Sequence, residues 1–391
     1  MNRRRIGEVA EILLDYVEHH KTFQADKIMT VPASNYTDPA QWRAEMDLIF
    51  KRVPLMLALS CEMPKPGDYK AMQAVGLPIL ITRDKSSLVH AFLNVCAHRW
   101  APVAAEGYGN CSRFICPFHG WTYGVDGKLM GIADRAKFGD LDRSAHGLKE
   151  LPSEERHGMI FVCLTPGMTL DLDGYYGAML DACAYAKVKD WSFIGSRVVE
   201  GANWKVAFDT FLEGYHFATL HAKTLPGVPS NMVHFEAVCG PHFRNGYPTS
   251  SIKKLREVPR AQWGEQQDQC FSFLWIFFPN IVVDLYSCDL TLFNQILPGP
   301  TPDRSRNVML FARKDPPKDT ADRENIEKKI KFLHDVVRDE DYAISLQIQK
   351  GLESGAHEAL LFGRNERGNQ YFHEWVNWYL QGNPTLPKPV L

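Results

Sequence analysis

The sequence predicts an α+β protein in two units, an all-β unit followed by one in which an antiparallel sheet is covered by helix. Three observations carry that prediction. Between residues 45 and 165, short apolar or alternating runs ("LPILIT", "HAFLNV", "RFICPF", "MIFVCL") are separated by Gly, Pro, Asp and Ser, the punctuation of strands and turns. From 166 to 391 helical patterns come first, "YYGAMLDACAYAKV" and "WKVAFDTFLEGYHF", and strand patterns follow, "FSFLWIFFPNIVVDLY", "LTLFNQILPG" and "NVMLFARK". A long charged helix then spans 322–354. Strands consecutive in sequence and joined by short turns pair antiparallel, and a helix must cover one face of their sheet.

Residues 1–44 are expected to form a helical segment packed on the second unit. Within them "IGEVAEILLDYVEHH" is amphipathic, and Glu8, Glu11 and Asp15 exclude the apolar core of a signal peptide. No stretch reaches the roughly 18 apolar residues of a membrane span, so a soluble, cytoplasmic protein is expected. The chain of 391 residues has room for two cores. Its net charge of -2 speaks against a nucleic-acid partner, whose phosphates call for a basic surplus. Of nine cysteines, Cys61, Cys163, Cys183, Cys239, Cys270 and Cys288 stand singly and read as small buried hydrophobes.

Cys96 and Cys116 differ, because each has a histidine beside it: Cys96 with His98, Cys116 with His119. Each pair follows a strand-like run and lies in a turn-rich stretch where loops can converge on a metal. Three metal readings compete. A Cys2His2 zinc site is one, although zinc-finger histidines come as a pair after a cysteine pair. A four-cysteine [2Fe–2S] site lacks two ligands here. A Rieske centre, with one Cys and one His from each of two loops, asks for the pattern present. Cys111, between the pairs, reads as structural.

Further on, "NWKVAFDTFLEGYHFATLH" places His216 and His221 five residues apart. On an ideal helix that leaves them about 140° apart, so they share a metal only if the helix ends or bulges between them. Spacing alone favours two separate structural histidines. Asp209, Glu213 and His216 would share one helix face among Val206, Phe208, Phe211 and Leu212, and such a set is costly to bury without partners. In the late helix Ile326, Ile330, Leu333, Val337, Ile344 and Ile348 form one apolar stripe. Asp335 and Asp339 point away from it, and Glu340 and Asp341 flank it, which phasing cannot separate.

These strings resemble a known family. "CAHR…CPFHGW" is similar to the Rieske signature C-x-H…C-x-x-H, and residues 203–221 resemble the N-W-K…E-x-Y-H-x-x-x-x-H motif of Rieske non-haem iron oxygenases, the aromatic ring-hydroxylating oxygenases, in their terminal oxygenase α subunit. The resemblance implies that Cys96 and Cys116 hold the inner iron of a [2Fe–2S] cluster and His98 and His119 the outer one. It implies a mononuclear Fe(II) on His216, His221 and Asp341, the last chosen over Glu340 because "EDYAISLQIQKGL" resembles the family's late helix. A two-histidine, one-carboxylate triad leaves positions open for O2 and substrate. Glu213 would hydrogen-bond the first iron histidine and link it to the Rieske histidine of a neighbouring subunit, although many members have Asp there. Asp209 would support Tyr215 or a backbone group, or stay solvated.

The same resemblance implies a Rieske domain over 45–165 and a helix-grip catalytic domain over 166–391, with a curved antiparallel sheet on a long helix. It further implies electrons from NAD(P)H through a separate reductase and possibly a ferredoxin, a homotrimer and possibly an accessory β subunit. No flavin or nicotinamide fingerprint is present. The expected reaction is mono- or dihydroxylation, or oxidative demethylation, of a small apolar or aromatic substrate. Met232, Phe235, Phe243, Phe271, Phe273, Trp275 and Phe277 would line its pocket, half of them facing the core instead, and Arg244 or His242 could meet a substrate carboxylate. The competing readings are a Rieske electron carrier, which would need only the first 165 residues or so, and a zinc-stapled binding module.

Overall fold

Seven antiparallel strands form the largest sheet of the computed structural model, which describes residues 3–285, 290–382 and 388–389. Cys288 lies outside the described residues. The chain divides into two compact units, one of residues 50–172 with 187–190, the other of residues 1–49, 173–186 and 191–391. No helix among the described residues is long and apolar enough to cross a membrane.

The smaller unit is β-rich. A five-stranded sheet runs in the order Glu150–Leu151, Val89–Leu93, Leu77–Arg83, Asp68–Ala74, Gly107–Asn110. Two three-stranded sheets accompany it, one of them the meander Arg113–Ile115, Thr122–Gly124, Leu129–Gly131. Phe92, Phe114, Trp121 and Tyr123 form a buried core together with Cys96 and Cys116. Cys111 packs partly buried against that core.

In the larger unit the sheet order is Ser192–Gly201, Ser305–Arg313, Thr291–Pro298, Ile281–Asp284, Phe271–Phe277, His242–Pro248, His234–Cys239. The Arg3–His19 helix buries Ile6, Val9, Ala10, Leu13 and Leu14, the i, i+3, i+4, i+7 stripe of an amphipathic helix. It crosses the sheet at Gly246, where a Cβ would come within 3.2 Å of Val9.

The late helix is not one continuous α-helix. Thr320–Val336 and Tyr342–Glu353 are α-helical, and the five residues Val337–Asp341 between them form a π turn. A π turn accommodates one extra residue, so every side chain beyond it is rotated by about 100° from the α-helical phase. Ile326, Ile330 and Val337 are buried as expected, but Ile344 and Ile348 are exposed, and Tyr342, Ser345 and Gln349 take the inward face. The predicted stripe therefore breaks at the turn. Tyr342 seats on Gly201, where a Cβ would come within 2.7 Å of its ring.

Candidate metal centres

In the smaller unit, two loops with the same backbone plan carry the Cys and His pairs. Cys96 N–H donates to Ala101 O (2.8 Å) and Trp100 N–H to Cys96 O (3.0 Å); Cys116 N–H donates to Trp121 O (2.8 Å) and Gly120 N–H to Cys116 O (3.0 Å). The fifth residue of each loop is left-handed, Trp100 at φ 65° and Gly120 at φ 68°. Cys96 and Cys116 are buried free thiols. Tyr123 Oη is 3.2 Å from Cys96 Sγ and accepts from Ala97 N–H at 3.0 Å, so its hydroxyl hydrogen is free to serve the sulfur.

His98 and His119 meet edge to face with ring centroids 4.6 Å apart, and His98 stacks on Trp121 at 5.1 Å. His98 Nδ1 is buried and makes no hydrogen bond. Desolvation, then the neighbouring His119 and Arg99, lower the pKa of His98, which favours the neutral ring a metal ligand needs. Two buried thiols and an orphaned imidazole nitrogen fit a [2Fe–2S] cluster with mixed Cys and His ligation.

In the larger unit the expected single helix over 204–217 ends early. Trp204–Asp209 is α-helical, the chain then loops, and His216 opens a single 3-10 turn, His216–Ala218. Side chains and a close backbone pin the loop: Asn245 Nδ2 donates to Leu212 O (2.8 Å), Tyr247 Oη to Phe211 O (3.2 Å), and Gly368 approaches so closely that a Cβ would lie 2.5 Å from Leu212 O. The 3-10 turn ends at Ala218, between the histidines, and their rings approach to 5.0 Å between centroids.

Each imidazole is held from behind by a carboxylate. His216 Nδ1 lies 2.5 Å from Glu213 Oε1, and His221 Nδ1 lies 2.6 Å from Glu340 Oε2, which also accepts from Thr224 Oγ1 at 2.9 Å. An ionised carboxylate only accepts, so both Nδ1 atoms carry the proton, and in the neutral form of each ring the lone pair is on Nε2. Those lone pairs converge on Asp341, whose Oδ1 is 3.1 Å from His221 Nε2 and 3.6 Å from His216 Nε2. Asp341 Oδ1 is buried and accepts no hydrogen bond of normal geometry.

One ligand atom from each of the three residues lies within 4.8 Å of the others. In that neutral form three electron-pair donors face one another, and they repel unless a cation joins them. Burial disfavours a charge on His221, but Asp341 and Glu340 outweigh it and raise that pKa, the mark of a site with negative potential. The donor set fits a divalent metal of the two-histidine, one-carboxylate kind. Asp341 enters because the π turn rotates it inward, and the same turn aims Glu340 at the back of His221.

A cavity of about 190 Å³ opens on this cluster. Phe211, Phe217 and Leu225 come from the histidine segment, Phe332, Leu333, Val336 and Val337 from the late helix, and Leu274, Asp284, Leu292 and Asn294 from the sheet. None of the expected lining residues Met232, Phe235, Phe243, Phe271, Phe273, Trp275 and Phe277 is among them. In Phe271–Phe277 the odd-numbered residues point away, and Leu274 between them faces the cavity. Arg244 and His242 are buried elsewhere: Arg244 donates to Glu236 (2.6 Å) over the rings of Phe273 and Trp275, and His242 bonds Tyr175 O (3.0 Å).

Asp209 supports neither Tyr215 nor a solvated carboxylate's neighbourhood. Its carboxylate accepts from Tyr36 Oη (3.0 Å), lies 3.0 Å from His373 Nε2 and accepts from Asn369 Nδ2 (3.2 Å). Nothing in the local string announces partners 160 and more residues away.

Two family models match the chain, the Rieske [2Fe-2S] domain over residues 53–151 and the ring hydroxylating alpha subunit (catalytic domain) over 188–382. The oxygenase subunit of glycine betaine monooxygenase from Chromohalobacter salexigens is 29% identical over 239 residues, 61% of this chain and 51% of that protein. The large subunit of anthranilate 1,2-dioxygenase from Acinetobacter baylyi is 32% identical over 50% of this chain and 43% of its own. The match thus spans about half the length of these two relatives. Chloroplastic choline monooxygenase from Spinacia oleracea is 28% identical over 90% of this chain and 78% of that protein.

Among solved structures, the quaternary ammonium Rieske monooxygenase CntA with an inhibitor superposes with a TM-score of 0.78 at 22% identity, covering 91% of this chain and 96% of that one. Naphthalene 1,2-dioxygenase with indole gives 0.71 at 18%, covering 90% and 92%. The α+β architecture and the resemblance read from the motifs agree with these matches.

Proposed function

Because the chain belongs to the Rieske non-haem iron oxygenase family as an α subunit, we propose that it is the terminal oxygenase of a multicomponent system, which hydroxylates a C–H bond of a compact organic substrate. Electrons come from NAD(P)H through a separate reductase, with or without a ferredoxin. In this reading Cys96, Cys116, His98 and His119 hold the [2Fe–2S] cluster, and His216, His221 and Asp341 hold Fe(II). The observation that carries it is the convergence of two imidazole Nε2 atoms on the hydrogen-bond-free Asp341 Oδ1, at the mouth of a cavity of its own.

When bound, the cluster supplies electrons one at a time and the ferrous ion supplies the site of dioxygen reduction. The protein's part is orientation and exclusion. Glu213 and Glu340 fix both rings in the Nδ1–H tautomer, so that only Nε2 can ligate. The Phe, Leu and Val walls keep water out and hold a substrate carbon near the ligands. In this reading Glu213, behind His216, is the group that would also reach His119 of the partner subunit in a homotrimer.

Monooxygenation is favoured over dihydroxylation by the choline monooxygenase match along 90% of this chain. Oxidative demethylation is the same chemistry, since a hydroxylated N-methyl group leaves as formaldehyde. The relatives' names divide between glycine betaine and choline on one side and anthranilate and N,N-dimethyl phenylurea on the other, so they do not by themselves select the expected aromatic substrate.

Iron analysis and low-temperature EPR on anaerobically purified protein test the reading. It expects about three irons per chain, a Rieske signal on reduction, and His216→Ala losing only the ferrous ion. A single turnover under labelled dioxygen should place one labelled atom in product. About two irons per chain, unchanged after anaerobic ferrous loading, would leave an electron carrier and sink the proposal.

A further inference from the structure

The helix that follows the π turn is inside out. Tyr342–Glu353 turns Tyr342, Ser345 and Gln349 toward the interior, all buried, and leaves Ile344, Leu346 and Ile348 exposed. Its contact with the sheet is therefore lined by polar groups that a packed interior ordinarily excludes. Ser305 pairs opposite Gly201 across the strands, and a Cβ on Gly201 would lie 2.7 Å from both Ser305 Oγ and the Tyr342 ring. Asn307 stands two residues along the strand from Ser305 and so shares its face. Its Nδ2 donates to Asn294 Oδ1 at 2.9 Å, and Asn294 lines the metal cavity.

Three atoms of this seam, Ser305 Oγ, Asn307 Oδ1 and Tyr342 Oη, are buried and make no hydrogen bond of normal geometry. Their residues are 0%, 0% and 1% exposed. Burial and then the charge of Asp341 raise the pKa of Tyr342, opposed by the Asn307 amide beside its hydroxyl, so the hydroxyl keeps its hydrogen. Buried polar atoms left so are costly, and a water with about three such partners is the usual remedy. Further along the helix Ser345 Oγ donates to Asp341 O at 2.6 Å and keeps lone pairs to offer. Gln349 accepts from Asn203 N–H and donates to Glu353 Oε1, each at 3.1 Å, and Glu353 is exposed. On the helix, polar side chains follow one another at neighbour spacing, about 5–6 Å, a step that one water bridges. With the two asparagines they run from solvent to the cavity wall.

Resting on the oxygenase reading of this site, we propose that the seam is hydrated and is the route by which protons enter the metal cavity. Hydroxylating a C–H bond with dioxygen takes up two electrons and two protons for each R–OH and water formed. The electrons come through the cluster, but the protons must cross walls largely of Phe, Leu and Val. A file of water passes a proton by donating one hydrogen as it accepts another, so no group along it has to stay ionised. Glu353 meets bulk water at the outer end. Asn307 and Asn294 carry no proton themselves. They are positioning residues, which hold the water in line, and Gly201 keeps the space beside Ser305 and Tyr342 clear.

Two measurements test this, with dioxygen alone as the probe. A high-resolution crystal structure of the wild type should show ordered water bonded to Asn307 Oδ1 and Tyr342 Oη, and a dry seam overturns the proposal. Stopped flow then follows reoxidation of the reduced, iron-loaded protein by dioxygen, which takes up two protons even when hydrogen peroxide is the only product. Asn307→Leu should slow it by at least about tenfold, with iron content and the Rieske signal unchanged. Imidazole, a small proton carrier, should restore the rate, and Asn307→Ser, which leaves room for water, should keep it. An Asn307→Leu protein as fast as the wild type overturns the proposal. So does a slow one that neither imidazole nor the serine variant rescues, since its defect is then structural. Should Asn307→Leu not take up iron, the wild-type crystal structure still decides. None of these outcomes touches the oxygenase reading, which stands or falls on iron content and dioxygen incorporation.

Discussion

Glu340 and Asp341, neighbours in the chain, grip opposite nitrogens of one imidazole: Glu340 Oε2 lies 2.6 Å from His221 Nδ1, and Asp341 Oδ1 lies 3.1 Å from His221 Nε2. In a regular helix adjacent side chains diverge by about 100°. Here the divergence is used, because the π turn sets the pair astride the ring. Glu340 fixes which nitrogen keeps its lone pair, and Asp341 supplies the charge that completes the donor set.

Replacing these two acids should have unequal effects. Asp341→Ala should abolish ferrous binding at the His216–His221 site. Glu340→Gln should weaken it by about 10–100-fold, the usual cost of losing the carboxylate behind a ligating histidine. Ferrous titration followed by calorimetry measures both, and the Rieske EPR signal should persist unchanged. Equal losses would show that Glu340 ligates rather than orients.

Trp100 occupies the left-handed position that Gly120 takes in the twin loop, and it is 81% exposed. A non-glycine residue pays about 1–2 kcal/mol there. Glycine's greater freedom in the unfolded chain returns less than about 1 kcal/mol of that. Trp100→Gly should therefore stabilise the cluster-bearing unit by about 0.5–1 kcal/mol, read as a higher midpoint in chemical denaturation.

Lys205 and Glu45 form a fully buried pair, with Lys205 Nζ 2.6 and 2.7 Å from the two carboxylate oxygens and Trp204 Nε1–H donating to Glu45 Oε2 at 2.7 Å. Lys205→Met should cost about 3–5 kcal/mol, because a buried carboxylate is left short of its partner. Lys205→Met with Glu45→Leu should recover most of that loss, short of about 1–3 kcal/mol for the stranded indole N–H. A double-mutant cycle in urea checks the ordering.

Acid should weaken the larger unit through His242. Burial holds its pKa at about 3, and both ring nitrogens are engaged, one with Tyr175 O and the other accepting from Phe278 N–H. The unfolded chain takes up the proton first, near pH 6.5, so this histidine's contribution falls as pH drops from there toward 3. Between pH 7 and 5 it should remove about 2 kcal/mol. His242→Gln should start from a lower stability in the metal-free protein but lose less over that interval.

The legible parts of the site were those whose partners lie close in sequence. Cys96, His98, Cys116 and His119 declare themselves because two short loops contain all four, and Glu213 stands three residues from the histidine it holds. Glu340 was set against Asp341 as a rival because phasing assumes an unbroken α-helix, and no residue type marks where a π turn will fall. The cavity wall was misread for another reason. "FSFLWIF" is apolar on both faces, so composition gave no sign that the modest Leu274, rather than the aromatic residues around it, would face the substrate. Asp284 and Asn294 passed unremarked as polar residues at strand positions, and Asp209 was assigned local partners when its real ones are Tyr36 and His373.

The extra residue in the Val337–Asp341 turn also acts as a gear between two surfaces. Winding those same residues as regular α-helix, with none removed, would turn the whole Tyr342–Glu353 segment by about 100°. Ile344 and Ile348 would swing inward, Tyr342 would leave its seat on Gly201, and Asp341 would lose its aim at the histidines in the same movement. The aim of Asp341 at the histidines and the packing of the helical turns that follow are thus set together by one extra residue, so neither surface can change phase without the other.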